Sequence, residues 1–497
     1  LSYSDIINFL PAWIFVFPFM MTFVIAFVER RSTFGRNVLS VITPIVTFVL
    51  VLAMYPTIMN GDTIYYQLAN IVPPFGISFR VDALSFGLSL LSSFIWMLVS
   101  IYSLDYMKQE EHTDRYYPSL ILTLSGCMGL FLAGDLFSLF IFFELMSLVS
   151  YLLIIHSETK EALKAGYKYL IVTIMGGLFL FFGIIMTFEL TQTISLNQMA
   201  IIDTPSMLAF AAFISYVIGF GMKAGMFPLH VWLPEAHPVA PSPASALLSG
   251  IMIKTGAYGL IRVIFHVFDY QMILDSGWNW ILAVVAVITI FLGSAVAITQ
   301  ENLKRRLAYS SIGQMGYILL GLAILTETAM IGDIFHIFSH AFMKSTLFLA
   351  AGAMIKKTGK NKISDFSGIG YKMPLTMISF TIAALAMIGI PPLNGFISKW
   401  SLSLGALEAG QPYYVLVLLL SSLMNSVYYL PIINIAFFGK EKKDTAVKSK
   451  SSEVPMTMVL PVVILGFGCL ILSLFPTNLP YELSQLAAKA LINGTPF

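Results

Sequence analysis

The chain has 497 residues, of which 58% are apolar and only 11% charged, where soluble domains carry about 25% charged. A soluble enzyme is thereby excluded. So is a nucleic-acid binder: the net charge is only +2, and the basic residues sit in short loops between apolar spans. The two cysteines, Cys127 and Cys469, both fall in apolar spans and provide neither a disulfide framework nor a metal site.

Apolar runs of about 20 residues each mark a membrane helix. Fourteen are read, at 10–28, 38–56, 82–103, 118–134, 136–155, 166–190, 207–229, 243–268, 278–299, 308–324, 330–355, 376–400, 412–437 and 457–475. The first lacks a cleavage motif and is read as a retained span. Residues 63–80, too polar to span and carrying a Pro-Pro-Phe-Gly turn, predict a small extramembrane hairpin.

Lys and Arg set the orientation. Of 28, 21 fall in the loops after spans one, three, five, nine, eleven and thirteen. The opposite loops and tails hold only Arg80, Arg262 and Lys489, and Lys223, Lys254, Lys344 and Lys399 lie within spans. This partition places both termini on the outer side of a cell membrane. A repeat is also visible: residues 118–268 (spans four to eight) and 278–437 (spans nine to thirteen) form two five-helix groups. They are flanked by 1–117, with the hairpin, and 438–497, with the last span and tail. Five is odd, so the second group is inverted. The fourth helix of each carries a lysine and a proline break, Lys223 with Pro228 and Lys399 with Pro391 and Pro392. Interrupted helices in matching positions of two halves point to a transporter with its site at the breaks. The predicted fold is therefore an all-α polytopic membrane protein with two inverted five-helix repeats.

Ionisable residues inside a bilayer cost about 2.5–3.5 kcal/mol each on insertion scales and are functional candidates by default. Glu144 stands alone in span five, and Lys223 is its natural partner. Either the two form a structural salt bridge, or they switch, separation of the pair ejecting the lysine's proton. The stretch after Lys223 is dense in proline and histidine; His230 and His237 are candidates for proton uptake or release, against a purely structural turn. Lys254 follows in span eight. In span eleven, His336, His340 and Lys344 are spaced i, i+4, i+8 along one helix face. Histidine passes protons because its ordinary pKa is about 6.5. A metal site is not expected, since zinc needs at least three protein ligands and none joins the two histidines. Asp82, Asp135 and Asp333 are read as marking span ends or capping helices. No phosphate-binding loop, paired-cysteine cluster motif or nucleophile elbow occurs. No cofactor is expected, and the chain is read as a transporter subunit, not an enzyme.

These residues resemble a known family. KAGMFPLHVWLPEAHPVAPSPASALLSG is similar to the signature of the antiporter-like subunits of respiratory complex I and of Mrp-type cation/proton antiporters. FFELMSLVSYLLI, ENLKRRLAYSSIGQMGYILLG, FHIFSHAFMKSTLFLAAGAM and PPLNGFISKW also match, so the resemblance covers about residues 75 to 440. It implies fourteen helices with two inverted five-helix units. It also implies proton-transfer roles for Glu144 and Lys223, a central role for Lys254, a linking role for the span-eleven histidines and a terminal role for Lys399. Lys399 stands where the M-type subunit of complex I usually has glutamate, and the L-type and Mrp A-type subunits are longer at the C-terminal side. The Mrp D-type is the subtype this chain resembles, with the N-type of complex I or a hydrogenase membrane arm as the alternative. Expected partners are the other membrane subunits of a hetero-oligomeric antiporter, H+, Na+ and the lipid bilayer.

Overall fold

A computed structural model describes residues 3–72, 75–197, 201–439, 453–474 and 479–494. Among them, twelve helices are long and apolar enough to cross a membrane. The fourteen-span reading is matched in position. Its fourth span is the more polar helix Thr113–Phe131, and its twelfth is divided into Pro374–Ile388 and Asn394–Glu408. The protein is an all-α polytopic membrane protein with one small β-element.

Helix starts follow from side-chain caps. A backbone N–H three residues on donates to Asp82, Asp135, Thr159, Ser206, Asn302 and Thr326, each satisfying a donor that the first helical turn would leave bare. Asp82 and Asp135 thus cap, as their sequence positions suggest. Asp333 does not. Thr326 caps its helix, Glu327–Thr358, and Asp333 lies well inside it, fully buried.

The hairpin is present: Ile64–Val72 pairs antiparallel with Phe75–Val81, Ile64 opposite Val81. Its Pro73-Pro74 turn lies outside the described residues, as do the five lysines predicted for the loop after span thirteen. A further helix, Leu479–Asn493, lies in what the sequence marks only as tail. It packs Leu483, Ala487, Ala488 and Leu491 inward against helices Ala83–Tyr106 and Glu327–Thr358.

Two helices are broken. Met207–Ala224 ends at Gly225, with φ +73°, and resumes as the short helices Leu229–Trp232 and Leu233–Val239. Pro374–Ile388 ends at Gly389, with φ +91°, before Asn394–Glu408. A glycine in the left-handed region is the usual helix stop, and here it terminates each first piece. Pro228, Pro391 and Pro392 stand in the gaps between pieces, where no helical N–H is needed.

Candidate functional site

Lys223 occupies the last turn before the first break and is fully buried. Its Nζ donates to Ser147 Oγ at 3.0 Å and Tyr169 Oη at 2.7 Å, and stands 5.0 Å from the Tyr169 ring centroid. Glu144 lies one turn from Ser147 on helix Leu136–Ile154. The two charges do not form an ion pair, although Lys223 is near enough to act on Glu144 electrostatically. Glu144 Oε1 is buried with no hydrogen-bond partner among the described residues, and Gly177 makes room for it, since a Cβ there would stand 2.1 Å away.

Lys254 is 1% exposed and opens helix Ile253–Arg262 just after the wide π-type turn Leu248–Met252. Its Nζ reaches back to the Ser249 carbonyl at 2.5 Å. Turns of this kind recur at functional sites because they displace backbone carbonyls from the regular ladder. Lys254 is close enough to act on His336, His340 and Lys344.

The helix Glu327–Thr358 carries the expected row. His336 and His340 stack at 5.8 Å between ring centroids with 7° between planes. His336 Nδ1 meets Ser398 Oγ at 2.9 Å, while His336 Nε2 and both His340 nitrogens lack partners among the described residues. Lys344 donates to the Leu307 carbonyl at 2.9 Å, to Ser310 and to Tyr429 Oη at 3.3 Å.

Lys399 lies just past the second break. Its Nζ donates at 3.0 Å each to the Met387 and Ile388 carbonyls and to Ser422 Oγ, and stands 5.0 Å from the Tyr317 ring centroid. The two carbonyls are the last of Pro374–Ile388, where the helix dipole is negative. None of Lys223, Lys254, Lys344 and Lys399 is ion-paired with a carboxylate among the described residues. Hydroxyls hold Lys223, a carbonyl holds Lys254, and both kinds of group hold Lys344 and Lys399.

The two turn histidines part company. His237 is fully buried, stacks on Phe348 at 4.6 Å and has no partner on either nitrogen among the described residues; Lys304 and Lys344 act on it. His230 is half-buried against Phe227 and does not join the row. A 210 Å³ cavity is lined by Glu110, His156, Pro238, Val239 and Lys304, among others; His237 itself does not line it. In that loop region, burial and the Arg115 guanidinium hold His156 down to about 4.

Several polar groups escape a reading of the sequence. The hydroxyls of Ser147, Tyr169, Ser310 and Ser398 are first partners of the ionisable row, but hydroxyls are too common to single out by spacing. Arg262, an outer-loop cation by its place in the sequence, is 2% exposed and grips Asp82 with both ends of its fork at 2.6 and 2.7 Å. It also donates to Ser85 Oγ at 2.6 Å and Tyr258 Oη at 2.9 Å, and Arg80 approaches His266 Nε2 at 2.5 Å. Lys304 and Arg306, which the sequence places in a loop, are buried too and donate to backbone carbonyls, including Ala240 and Tyr428.

Residues 133–425 match the family described as NADH:quinone oxidoreductase/Mrp antiporter, TM, and residues 73–117 match complex I chain 5 N-terminus. The chain belongs to this antiporter-like family. The N-type subunit of the NADH-quinone oxidoreductase of Desulforudis audaxviator is 33% identical over 493 residues, covering 96% of this chain and 98% of that one. The D-type subunit of the Na(+)/H(+) antiporter of Alkalihalophilus pseudofirmus is 31% identical over 464 residues, covering 91% and 92%. A chain of the Mrp complex from Dietzia sp. DQ12-45-1b shares the fold, with TM-score 0.88, 24% identity and coverage of 99% and 98%. The protein is thus an antiporter-like membrane subunit of the Mrp or complex I type, and the resemblance read from its motifs is borne out.

Proposed function

We propose that this antiporter-like chain is the proton-translocating subunit of a multisubunit Na+/H+ antiporter of the Mrp D type. It acts in the cell membrane as a secondary transporter and not as an enzyme. The observation that carries the reading is the series Lys223, Lys254, His340, His336 and Lys399, buried in the membrane-spanning body without carboxylate partners among the described residues. Charges so placed are expensive unless they are used. Hydroxyls and carbonyls hold a lysine whether or not it carries its extra proton, as a relay requires.

In this reading protons cross laterally. One five-helix repeat, 118–268, opens a half-channel at its break to one side. The inverted repeat, 278–437, opens the other, and Lys254 with His336 and His340 bridges them. Neither half alone forms a through-pore, so the gradient is not dissipated. Glu144 and Lys223 act as the switch at one end, Lys399 as the final station and His237 as a point of proton uptake or release. Lys254→Ala and Lys399→Ala should assemble and lose antiport in vesicles; normal rates in both would place the path elsewhere.

A second reading has its own support. The N-type relative from the NADH-quinone oxidoreductase matches over nearly its whole length at comparable identity, so a proton-pumping subunit of a redox complex is the alternative. Purification in mild detergent separates the two: co-purifying cluster-binding and quinone-site subunits would establish the redox complex, and other Mrp-type subunits the antiporter.

A further inference from the structure

Asp333 stands one turn from His336 on helix Glu327–Thr358, nearer its Thr326 cap, and is fully buried. Among the described residues neither carboxyl oxygen has a hydrogen-bond partner, and no basic side chain forms an ion pair with it. The opposing helix Leu303–Ile324 leaves a niche for it at Gly321: a Cβ there would stand 2.7 Å from Asp333 Cγ and 2.9 Å from Oδ1. At 3.6 residues per turn, positions 333, 336, 340 and 344 fall within about 80° of one another around the helix. The carboxyl therefore lies at one end of the row formed by His336, His340 and Lys344.

An unpaired carboxylate charge is not sustained in such surroundings, so the group carries either a proton or a bound cation. No cluster of three or more His, Cys, Asp or Glu suited to a metal ion occurs among the described residues, so a cation would have to be held by hydroxyl and carbonyl oxygens, and the proton is the simpler occupant. We propose that Asp333 is a proton-binding carboxyl that extends the histidine row by one turn beyond His336, toward the Thr326 end of the helix. This rests on reading the row as a proton route. It adds a second acid, after Glu144, to a route otherwise built from lysines and histidines.

The test uses the assembled complex in vesicles, with Asp333→Asn, Asp333→Glu and, as reference, Lys254→Ala. Asp333→Asn should lower proton transfer at least tenfold while co-purification with the other subunits is kept, and Asp333→Glu should restore most of it. In the native complex, dicyclohexylcarbodiimide should form an adduct at residue 333, mapped by peptide mass spectrometry and indifferent to Na+. If Lys254→Ala blocks transport and Asp333→Asn does not, this inference falls alone; if neither blocks, the route beneath it falls. An adduct prevented by Na+ would make Asp333 a cation site and overturn the proton assignment. Should Asp333→Asn fail to assemble, the glutamate variant and the adduct decide, and a native complex that forms no adduct at residue 333 refutes the proposal.

Discussion

Converting Arg262 to alanine removes five side-chain hydrogen bonds at once, two to Asp82, one each to Ser85 and Tyr258, and a longer one to His266 Nε2 at 3.4 Å. Breaking a buried pair by deleting one partner typically costs about 3–5 kcal/mol, because the other charge stays buried. Arg80 Nη1 remains 3.6 Å from Asp82 Oδ2, so the loss should fall at the lower end, about 3 kcal/mol. On the usual unfolding entropy per residue, a 497-residue chain gives roughly 1 kcal/mol per kelvin, and the midpoint should drop by about 3 °C. Replacing both charges, Asp82→Asn with Arg262→Met, removes the stranded carboxylate, so the double variant should melt above Arg262→Ala. Thermal unfolding of the purified complex in detergent measures both. A double variant that melts lower than the single one would show that the ion pair is not what holds hairpin and helix together.

Three further outcomes are expected. Gly177→Val places side-chain atoms where Glu144 Oε1 lies; it should slow transport several-fold in vesicles, and an unchanged rate would remove Glu144 from the switch. His156 is held down to about 4 against an ordinary value near 6.5, so its contribution to stability is present above pH 6.5 and is lost as pH falls toward 4. Melting followed across that window should show a loss that His156→Phe reduces, and identical curves would refute the assignment. Single cysteines in the loops 104–117, 156–168, 300–307 and 356–374 should be labelled only after the membrane is opened; labelling of 356–374 on intact cells would reverse the proposed orientation.

Much of this is readable in the chain because a membrane leaves few options. Apolar length marks helices, and a lysine within such a run stands out against its neighbours, as Lys223, Lys254, Lys344 and Lys399 do. Prolines flag both breaks, although the glycines at 225 and 389 do the stopping. What cannot be read depends on distant contacts. Lys304, Arg306 and Arg262 look like loop cations in sequence, yet each is drawn inward by carbonyls or a carboxylate on another segment. Asp333 resembles a cap because it follows a helix start closely, and its burial is set by Gly321 on a different helix. The C-terminal helix Leu479–Asn493 is amphipathic and short, with too mixed a composition to signal a span.

The two peptide oxygens that hold Lys399 differ in kind from an acid in the same place. A carboxylate can itself take the proton the lysine gives up, and can be deleted by mutation. The Met387 and Ile388 oxygens can do neither, so the ammonium can lose its charge without stranding an opposite one. The Met387 carbonyl also accepts from Asn425 Nδ2 at 3.2 Å, so it keeps a donor in either state of the lysine. A scan of side chains would therefore pass over the counter-charge of Lys399 altogether. Only chemistry on the main chain, such as an ester in place of the amide that follows Ile388, would weaken it.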